Sequence, residues 1–373
     1  MKSNKQKILH IVGGMNIGGT ETMLMNLYRK INKDISFDFI SYYENEAYYD
    51  KEIESLGGKI IKIDSPNRKG IYKSIKDLCK VIREYGPYDA VHAHTLFNCG
   101  IAMIAAKICG VEVRISHAHT NLDNNISFLR KVYMASMRGV IKNFSTNYLA
   151  CSDDAGKYLF GHGITENKNY IKLPNYIDYL KFLECNESNI RKELGISEEE
   201  IVVGHIGTFK SSKNHSFLID IVNNMIKKNG NVRCILVGEG ELKKEIQYKC
   251  RELGIEKKVY LLGLREDTEK ILNSLDLFVF PSTYEGLGLV MLEAQACGLP
   301  CLVSEAIQPE ADLGLGLLKK MRLKDGDNIW SEEALKLVKN KNKNKKLIEE
   351  AFENNGYDLE NIINTLLKVY RIN

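Results

Sequence analysis

Short β-branched runs alternate with longer amphipathic stretches along almost the whole of this chain, and that alternation limits its fold more than any other feature. Lys7–Gly13 reads as a strand, and Thr20–Ile31 follows as a helix with Met23, Leu24, Leu27 and Ile31 on one face. Strand candidates continue at Ser36–Ser41, Lys59–Ile63, Ala90–His92, Val113–Ser116 and Ser145–Cys151, with helical periodicity around 48–56, 70–85 and 97–109. A second series opens at Ile201–Ile206 and runs through Arg233–Val237, Val259–Leu261, Leu277–Phe280 and Cys301–Val303, with helices near 214–228, 240–253, 267–274 and 288–297. Strands separated by helices pair in parallel, and a parallel sheet needs cover on both faces. The alternation predicts an α/β chain of two doubly wound, Rossmann-like domains facing a cleft.

The length of 373 residues suits two such domains. The series breaks at Leu173-Pro174-Asn175-Tyr176, beyond which Asp178–Glu200 is polar and helical without a strand. The expected division is 1–175 and 176–355, with the last helix, in 356–373, packing back on the first domain. Nine cysteines, an odd number with no Cys-x-x-Cys pair, sit mostly among aliphatic neighbours and read as buried thiols of a reducing compartment. The apolar run Ile8–Val12 is too short for a secretory leader, and no stretch reaches 18 apolar residues. The expected location is cytoplasmic, at most peripheral on the inner face of a membrane. Basic residues exceed acidic ones by only 52 − 48 = +4, which gives no reason to expect nucleic acid.

Ligands of doubly wound sheets lie at the carboxyl ends of the strands, so the chemistry belongs in the loops after each strand. The most informative loop follows Leu277–Phe280: Pro-Ser-Thr-Tyr-Glu285-Gly286-Leu287-Gly288-Leu289, with a helix starting near Gly288 and carrying Glu293. Glycines at 286 and 288 let backbone N–H groups approach an anion, and a helix N-terminus adds favourable partial charge. Glu285 reads as a free carboxylate beside this cradle. Phosphates need N–H donors and vicinal sugar hydroxyls need carboxylate acceptors, so a sugar nucleotide suits the combination.

This segment resembles the Glu-x7-Glu signature of retaining glycosyltransferases of the GT-B fold, in the large family numbered 4, and in particular its bacterial capsule and exopolysaccharide members. The resemblance extends to Gly13-Gly14-Met-Asn-Ile-Gly18-Gly19-Thr-Glu21, Val91-His92-Ala-His94, Arg114-Ile-Ser-His117-Ala-His119-Thr120, Pro174-Asn175-Tyr-Ile-Asp178, Gly207-Thr208-Phe-Lys210-Ser-Ser-Lys213-Asn-His215 and Leu236-Val-Gly-Glu-Gly240. It implies that Glu285 holds the donor sugar's hydroxyls and Glu293 the ribose hydroxyls, while amides of Gly286, Leu287, Gly288 and Leu289 meet the diphosphate and sugar. It assigns Lys213 to the leaving diphosphate, where a cation does the work of a metal. The family's usual arginine is replaced by Thr208, a gap that Lys210 is placed to fill. Gly18 and Gly19 are implied to face the donor phosphates and the acceptor, Gly263 to offer backbone groups to the base, and His119 to contact the donor sugar. His117 stands behind it or on the acceptor side, and His92 reads as a packed strand-end residue.

The implied activity moves a hexose or N-acetylhexosamine from a nucleoside-diphosphate sugar, UDP favoured, to a saccharide acceptor linked to polyprenyl diphosphate. No cofactor is expected. No metal is expected either: the paired histidines lack a cysteine or carboxylate to complete a site, and Asp325-Gly326-Asp327 sits in a polar turn sequence. A degenerate sugar-nucleotide-binding partner subunit is the alternative that Thr208 supports. A dinucleotide oxidoreductase is disfavoured, because Gly14-Met-Asn-Ile-Gly18 has the wrong spacing for its phosphate loop. Residues 1–175 carry 24 basic and 17 acidic side chains, and Phe128–Phe144 mixes Phe128, Leu129, Val132 and Met137 with Arg130, Lys131, Arg138 and Lys142. That make-up fits either an anionic membrane surface or an ordinary helix packed on the first sheet.

Overall fold

Ile8, Leu9, Ile11 and Val12 of the first strand are all fully buried, which alternating side chains can achieve only when both faces of the sheet are covered. The computed structural model describes residues 5–119, 127–185, 189–285, 287–342 and 344–372. The chain forms two compact units, Met1–Tyr176 with Gly356–Asn373, and Ile177–Asn355.

The first unit holds β1 (Gln6–Val12), β2 (Ile35–Ser41), β3 (Lys59–Lys62), β4 (Ala90–Ala93), β5 (Val113–Ala118), β6 (Asn147–Ala150) and β7 (Tyr170–Lys172). They form one sheet in the order β3-β2-β1-β4-β5-β6-β7, every pair parallel. One face packs Leu9, Ile11 and Val91 against Met103, Met137 and Ile141. The other packs Ile8, Phe37 and Ile115 against Leu24 and Leu27. The terminal helix Leu359–Tyr370 adds Ile362, Leu366, Val369 and Tyr370 to that second face. Each side chain so buried contributes roughly 1.5–3 kcal/mol, enough together to hold the last helix on the first unit.

The second unit holds β8 (Ile201–Ile206), β9 (Val232–Val237), β10 (Val259–Leu261), β11 (Leu277–Phe280), β12 (Cys301–Ser304) and β13 (Leu318–Met321). Their order is β10-β9-β8-β11-β12-β13, again all parallel. The doubly wound α/β reading is therefore correct for both halves. Two strands escaped it, β7 and β13, which close one edge of each sheet. Edge strands are kept short and charged against unwanted pairing, and β13 carries the exposed Lys319 and Lys320, so no buried β-branched run marks it. Trp330 is fully buried in the second core, its ring 5.5 Å from that of Phe217 and its Nε1–H donated to the Arg322 carbonyl at 3.0 Å. Among the described residues, no helix is long and apolar enough to cross a membrane.

Candidate functional site

In each sheet the strand order reverses beside the central strand, between β1 and β4 and between β8 and β11. Connections leave such a point in opposite directions and open a crevice at the carboxyl ends of the two strands.

In the second unit, the loops after β8 and β11 are tied to each other. Thr283 donates its backbone N–H to the Ser212 carbonyl at 2.8 Å, and Asn214 Nδ2 donates to the Pro281 carbonyl at 3.2 Å. Asn214 takes a left-handed conformation, φ 54°, which turns the chain sharply into the helix His215–Lys228. These ties bring the Lys213 ammonium onto the Glu285 carboxylate as an ion pair, with the ammonium 4.7 Å from the centre of the Phe280 ring. The expectation of a free Glu285 is thus corrected. Both side chains are largely buried, 14% and 11% exposed, and a buried carboxylate is tolerated only when paired. Burial lowers the lysine's pKa, and the attraction of Glu285 offsets that only in part.

Gly288 caps the helix Leu289–Ala296 with φ +69°, a conformation that L side chains rarely adopt. Leu287 is buried and Leu289 half-buried, while Gly286 lies outside the described residues. Glu293, one turn into that helix, is half-buried, and its carboxyl is pushed up to about 7 by burial, against the attraction of Lys181. Lys181 is itself paired with Glu269 at 2.9 Å, so Glu293 gains little from it. Thr208 and Lys210 are both exposed on the loop after β8. Gly263 follows β10 with φ +70°, and its carbonyl accepts the Gly238 N–H at 2.9 Å. A side chain on Gly238 would collide with the Gly207 carbonyl, so this glycine lets the ends of β8 and β9 approach closely.

In the first unit, Gly18 caps the helix Gly19–Ile31, and its carbonyl accepts the Thr22 N–H at 2.9 Å. The Glu21 carboxylate lies so close to Gly18 that any side chain there would displace it. Burial raises the pKa of Glu21 above the usual carboxylate value. Five histidines crowd the carboxyl ends of β1, β4 and β5. His119 Nδ1 bonds Asn175 Oδ1 at 3.0 Å, His94 Nδ1 meets His119 Nε2 at 2.8 Å, and His10 Nδ1 meets His94 Nε2 at 3.0 Å. Beside that row, His92 links the Tyr370 hydroxyl at 2.9 Å to His117 Nδ1 at 3.1 Å. Burial holds His10 down at about 3 and His119 at about 4, and puts His92, His94 and His117 far below the ordinary histidine range. His10, Asn175 and Tyr370 were not singled out in the sequence as members of this cluster. His10 could have been, since it is the one polar residue in the apolar run Ile8–Val12 of the central strand, where it lies in register with His92.

Two histidine triads, His10-His92-His94 and His94-His117-His119, bring one nitrogen from each ring within 4.8 Å, the spacing of a candidate cation site. The expectation of no metal rested on the missing cysteine or carboxylate, but three imidazoles come close without one. The turn expected at Asp325-Gly326-Asp327 is instead a junction of two helices: Asp325 ends the short helix Leu323–Asp325, and Asp327 opens the helix Asp327–Leu337 after Gly326. Asp325 is paired with Arg322 at 2.8 Å, and Asp327 accepts from Asn224 at 2.7 Å. The helix Phe128–Phe144 divides along its length: Met134, Met137 and Ile141 are buried, whereas Phe128 is 77%, Leu129 80% and Val132 50% exposed. Arg130 and Lys131 are exposed beside them.

Comparison with known proteins shows the family to which this fold belongs. Residues 17–178 match the family described as Glycosyltransferase Family 4, and residues 186–354 match glycosyl transferases group 1. EpsF of Bacillus subtilis, a protein named as a glycosyltransferase, is 35% identical over all of this chain and 98% of its own length. An Escherichia coli UDP-Gal:alpha-D-GlcNAc-diphosphoundecaprenol alpha-1,3-galactosyltransferase is 29% identical over 62% of this chain and 61% of its own. The solved structure of Anabaena HepE in complex with UDP and glucose shares the fold, with a TM-score of 0.76 at 19% identity, covering 98% of this chain and 99% of that one. Matched along its whole length, and with both sheets wound as the fold requires, the chain belongs to the group 1 glycosyltransferases with a Family 4 first half, proteins of the GT-B fold.

Proposed function

We propose that this enzyme is a retaining, metal-independent hexosyltransferase. It moves a hexose or N-acetylhexosamine from a UDP-sugar to a saccharide carried on a polyprenyl diphosphate, in capsule or exopolysaccharide assembly. The observation that carries the reading is the buried Lys213–Glu285 pair at the switch point of the second sheet, with Glu293 behind it in the following helix. A lysine held there by a carboxylate suits exchange: the donor's diphosphate takes over the ammonium, and Glu285 is released to accept sugar hydroxyls. Glu293 accepts from the ribose hydroxyls. The acceptor hydroxyl attacks the anomeric carbon on the face the diphosphate leaves. As the new glycosidic bond forms and the bond to phosphate breaks, the hydroxyl proton passes to the departing phosphate oxygen. Lys213 and the amides of the Gly288 turn balance the charge that develops on that oxygen. His119 meets the donor sugar. The E. coli galactosyltransferase supports the lipid-linked acceptor, and the HepE complex supports a UDP donor.

The enzyme works at the inner face of the membrane. The exposed Phe128, Leu129 and Val132 enter the interface, and Arg130 and Lys131 face anionic lipids. The exposed Thr208, where the family carries arginine, favours a second reading, a catalytically degenerate subunit that binds sugar nucleotide beside an active partner. One experiment separates the two. UDP- and GDP-sugars are screened for nucleoside-diphosphate release with and without polyprenyl-diphosphate saccharides, and the product anomer is read by NMR. Acceptor-dependent UDP release with retention is expected; binding without release selects the degenerate subunit, and inversion refutes the mechanism.

A further inference from the structure

The histidines of the first unit form a hydrogen-bonded row, and the row has a direction. Asn175 closes one end. Its Oδ1, 3.0 Å from His119 Nδ1, can only accept, so the proton of His119 sits on Nδ1. A neutral imidazole with Nδ1–H carries a bare lone pair on Nε2. His94 Nδ1, 2.8 Å away, must therefore donate to it. That leaves His94 Nε2 as the acceptor for His10 Nδ1 at 3.0 Å. The row ends at His10 Nε2, which is buried without a hydrogen-bond partner among the described residues, as a lone pair with nothing to receive. Each of the three rings is thus fixed by the next, starting from one amide oxygen.

We infer that Asn175, His94 and His10 lock His119 as the Nδ1–H tautomer, so that the group of a donor sugar meeting its Nε2 must be a hydroxyl and not a carboxylate or a methyl group. The inference rests on the proposed sugar-facing role of His119. His94 Nδ1 and His119 Nε2 stand in direct contact at 2.8 Å, so a hydroxyl enters between them as the two rings part. It donates its O–H to His119 Nε2 and accepts the His94 Nδ1–H, replacing one hydrogen bond by two. A carboxylate can accept from His94 but sets a lone pair against the lone pair of His119. A methyl group leaves both nitrogens without a partner. His94 is accordingly a positioning residue: it holds the site of the hydroxyl until the sugar arrives. The row excludes uronic acids and 6-deoxy sugars alike wherever the altered carbon is the one that reaches it, and admits hexoses and N-acetylhexosamines.

The tautomers can be read without substrate. In the full chain labelled with 15N-histidine, long-range proton–nitrogen spectra at neutral pH should show His10, His94 and His119 as Nδ1–H. Asn175→Leu, which removes the oxygen that sets the direction, should release His119 into a mixture, and Asn175→Asp should keep it. A His119 found as Nε2–H, or protonated at neutral pH, overturns the row whatever the enzyme turns over. The sugar half is read by donor preference. UDP-glucose, UDP-galactose and UDP-N-acetylglucosamine are compared with UDP-glucuronate and UDP-galacturonate, and the best hydroxyl donor should exceed both uronates by on the order of 10² in kcat/KM or more. His94→Leu should shrink that ratio about tenfold and His94→Gln, whose amide N–H can donate, should restore most of it. A merely structural His94 would lower activity toward all donors together, and that result, or equal use of uronates, overturns the selectivity. Three Nδ1–H rings in a protein that turns over no sugar nucleotide would refute the transferase reading while upholding the row.

Discussion

Glu293 is the residue whose removal should improve the fold and damage the function. Burial lifts its carboxyl from an ordinary 4.5 to about 7, so the folded protein binds this proton more tightly than the unfolded chain does. A raised carboxyl costs nothing below the unfolded pKa; the cost grows as pH rises through 4.5 and is complete above about 7. At 1.36 kcal/mol per unit, ionising Glu293 in place costs about 3 kcal/mol at pH 8 and less than about 1 kcal/mol at pH 5. Glu293→Gln keeps the shape and cannot ionise, so it should stabilise the second unit by those amounts. For a unit of this size, 3 kcal/mol raises the melting temperature by about 6–12 °C at pH 8. Trp330, the single tryptophan of the chain and buried in that unit, reports the transition by fluorescence. The same variant should lose the charge-assisted bond to ribose, roughly 1.5–3 kcal/mol, or tenfold or more in the donor's KM. A variant equally stable at pH 8, or stabilised as much at pH 5, would refute the burial argument. An unchanged KM in the folded variant would remove Glu293 from the donor site.

Four further outcomes follow from the same geometry. The buried histidines of the first unit have folded-state pKa values near 3 to 4 or well below the ordinary 6.5, so the unfolded chain takes up protons first and stability falls as pH drops below 6.5. Each ring loses about 2 kcal/mol by pH 5, so far-UV circular dichroism should show the five-histidine unit unfolding before Trp330 fluorescence responds, and a signal flat from pH 7 to 5 contradicts this. Turnover should survive saturating EDTA, because Lys213 supplies the charge; loss reversed by magnesium, manganese or zinc would bring the histidine triads or Asp325 and Asp327 into the reaction. Thr208→Arg should leave donor KM unchanged or lower it, whereas a severe rise in KM would mean that Lys210 already fills that space. Flotation with anionic vesicles at low salt should carry the protein up and Arg130→Glu with Lys131→Glu should abolish it; no flotation of the unaltered chain ends the docking proposal.

The sequence disclosed the sheets because their strands are buried on both faces and written in largely apolar runs, broken in β1 by His10 and in β8 by His205. β1, β8 and β11 carry that signal without ambiguity. It failed at β7 and β13, where an edge position removes the need for apolar residues and the strands shrink to three and four residues. The loops after β8 and β11 were legible through their glycines and charges, but not the pairing between them. Lys213 and Glu285 stand 72 residues apart, and the pairing of β8 with β11 and the bonds from Thr283 and Asn214 across the two loops make them partners. The histidine row was half legible. His92, His94, His117 and His119 alternate visibly along two strands, yet His10, Asn175 and Tyr370 come from distant segments that carry no local mark of a polar cluster.

The two switch points solve opposite electrostatic problems by the same means. At the end of the second sheet, a lysine and a carboxylate are largely buried as an ion pair in which each offsets the other's charge, and either alone would be costly to bury. At the end of the first, five ionisable rings are kept neutral by burial, and among the described residues they bond to one another, to Asn175 and to Tyr370. A charged pair can be exchanged only by something that brings charge of its own, which a diphosphate does. A neutral row of donors and acceptors can be entered only by a group that both gives and takes a hydrogen bond, which is the definition of a sugar hydroxyl. Burial, the property that makes Glu293, Lys213 and the histidines expensive to fold, is therefore also what lets each of them discriminate. Variants that relieve the cost, such as Glu293→Gln, should relieve the selectivity with it.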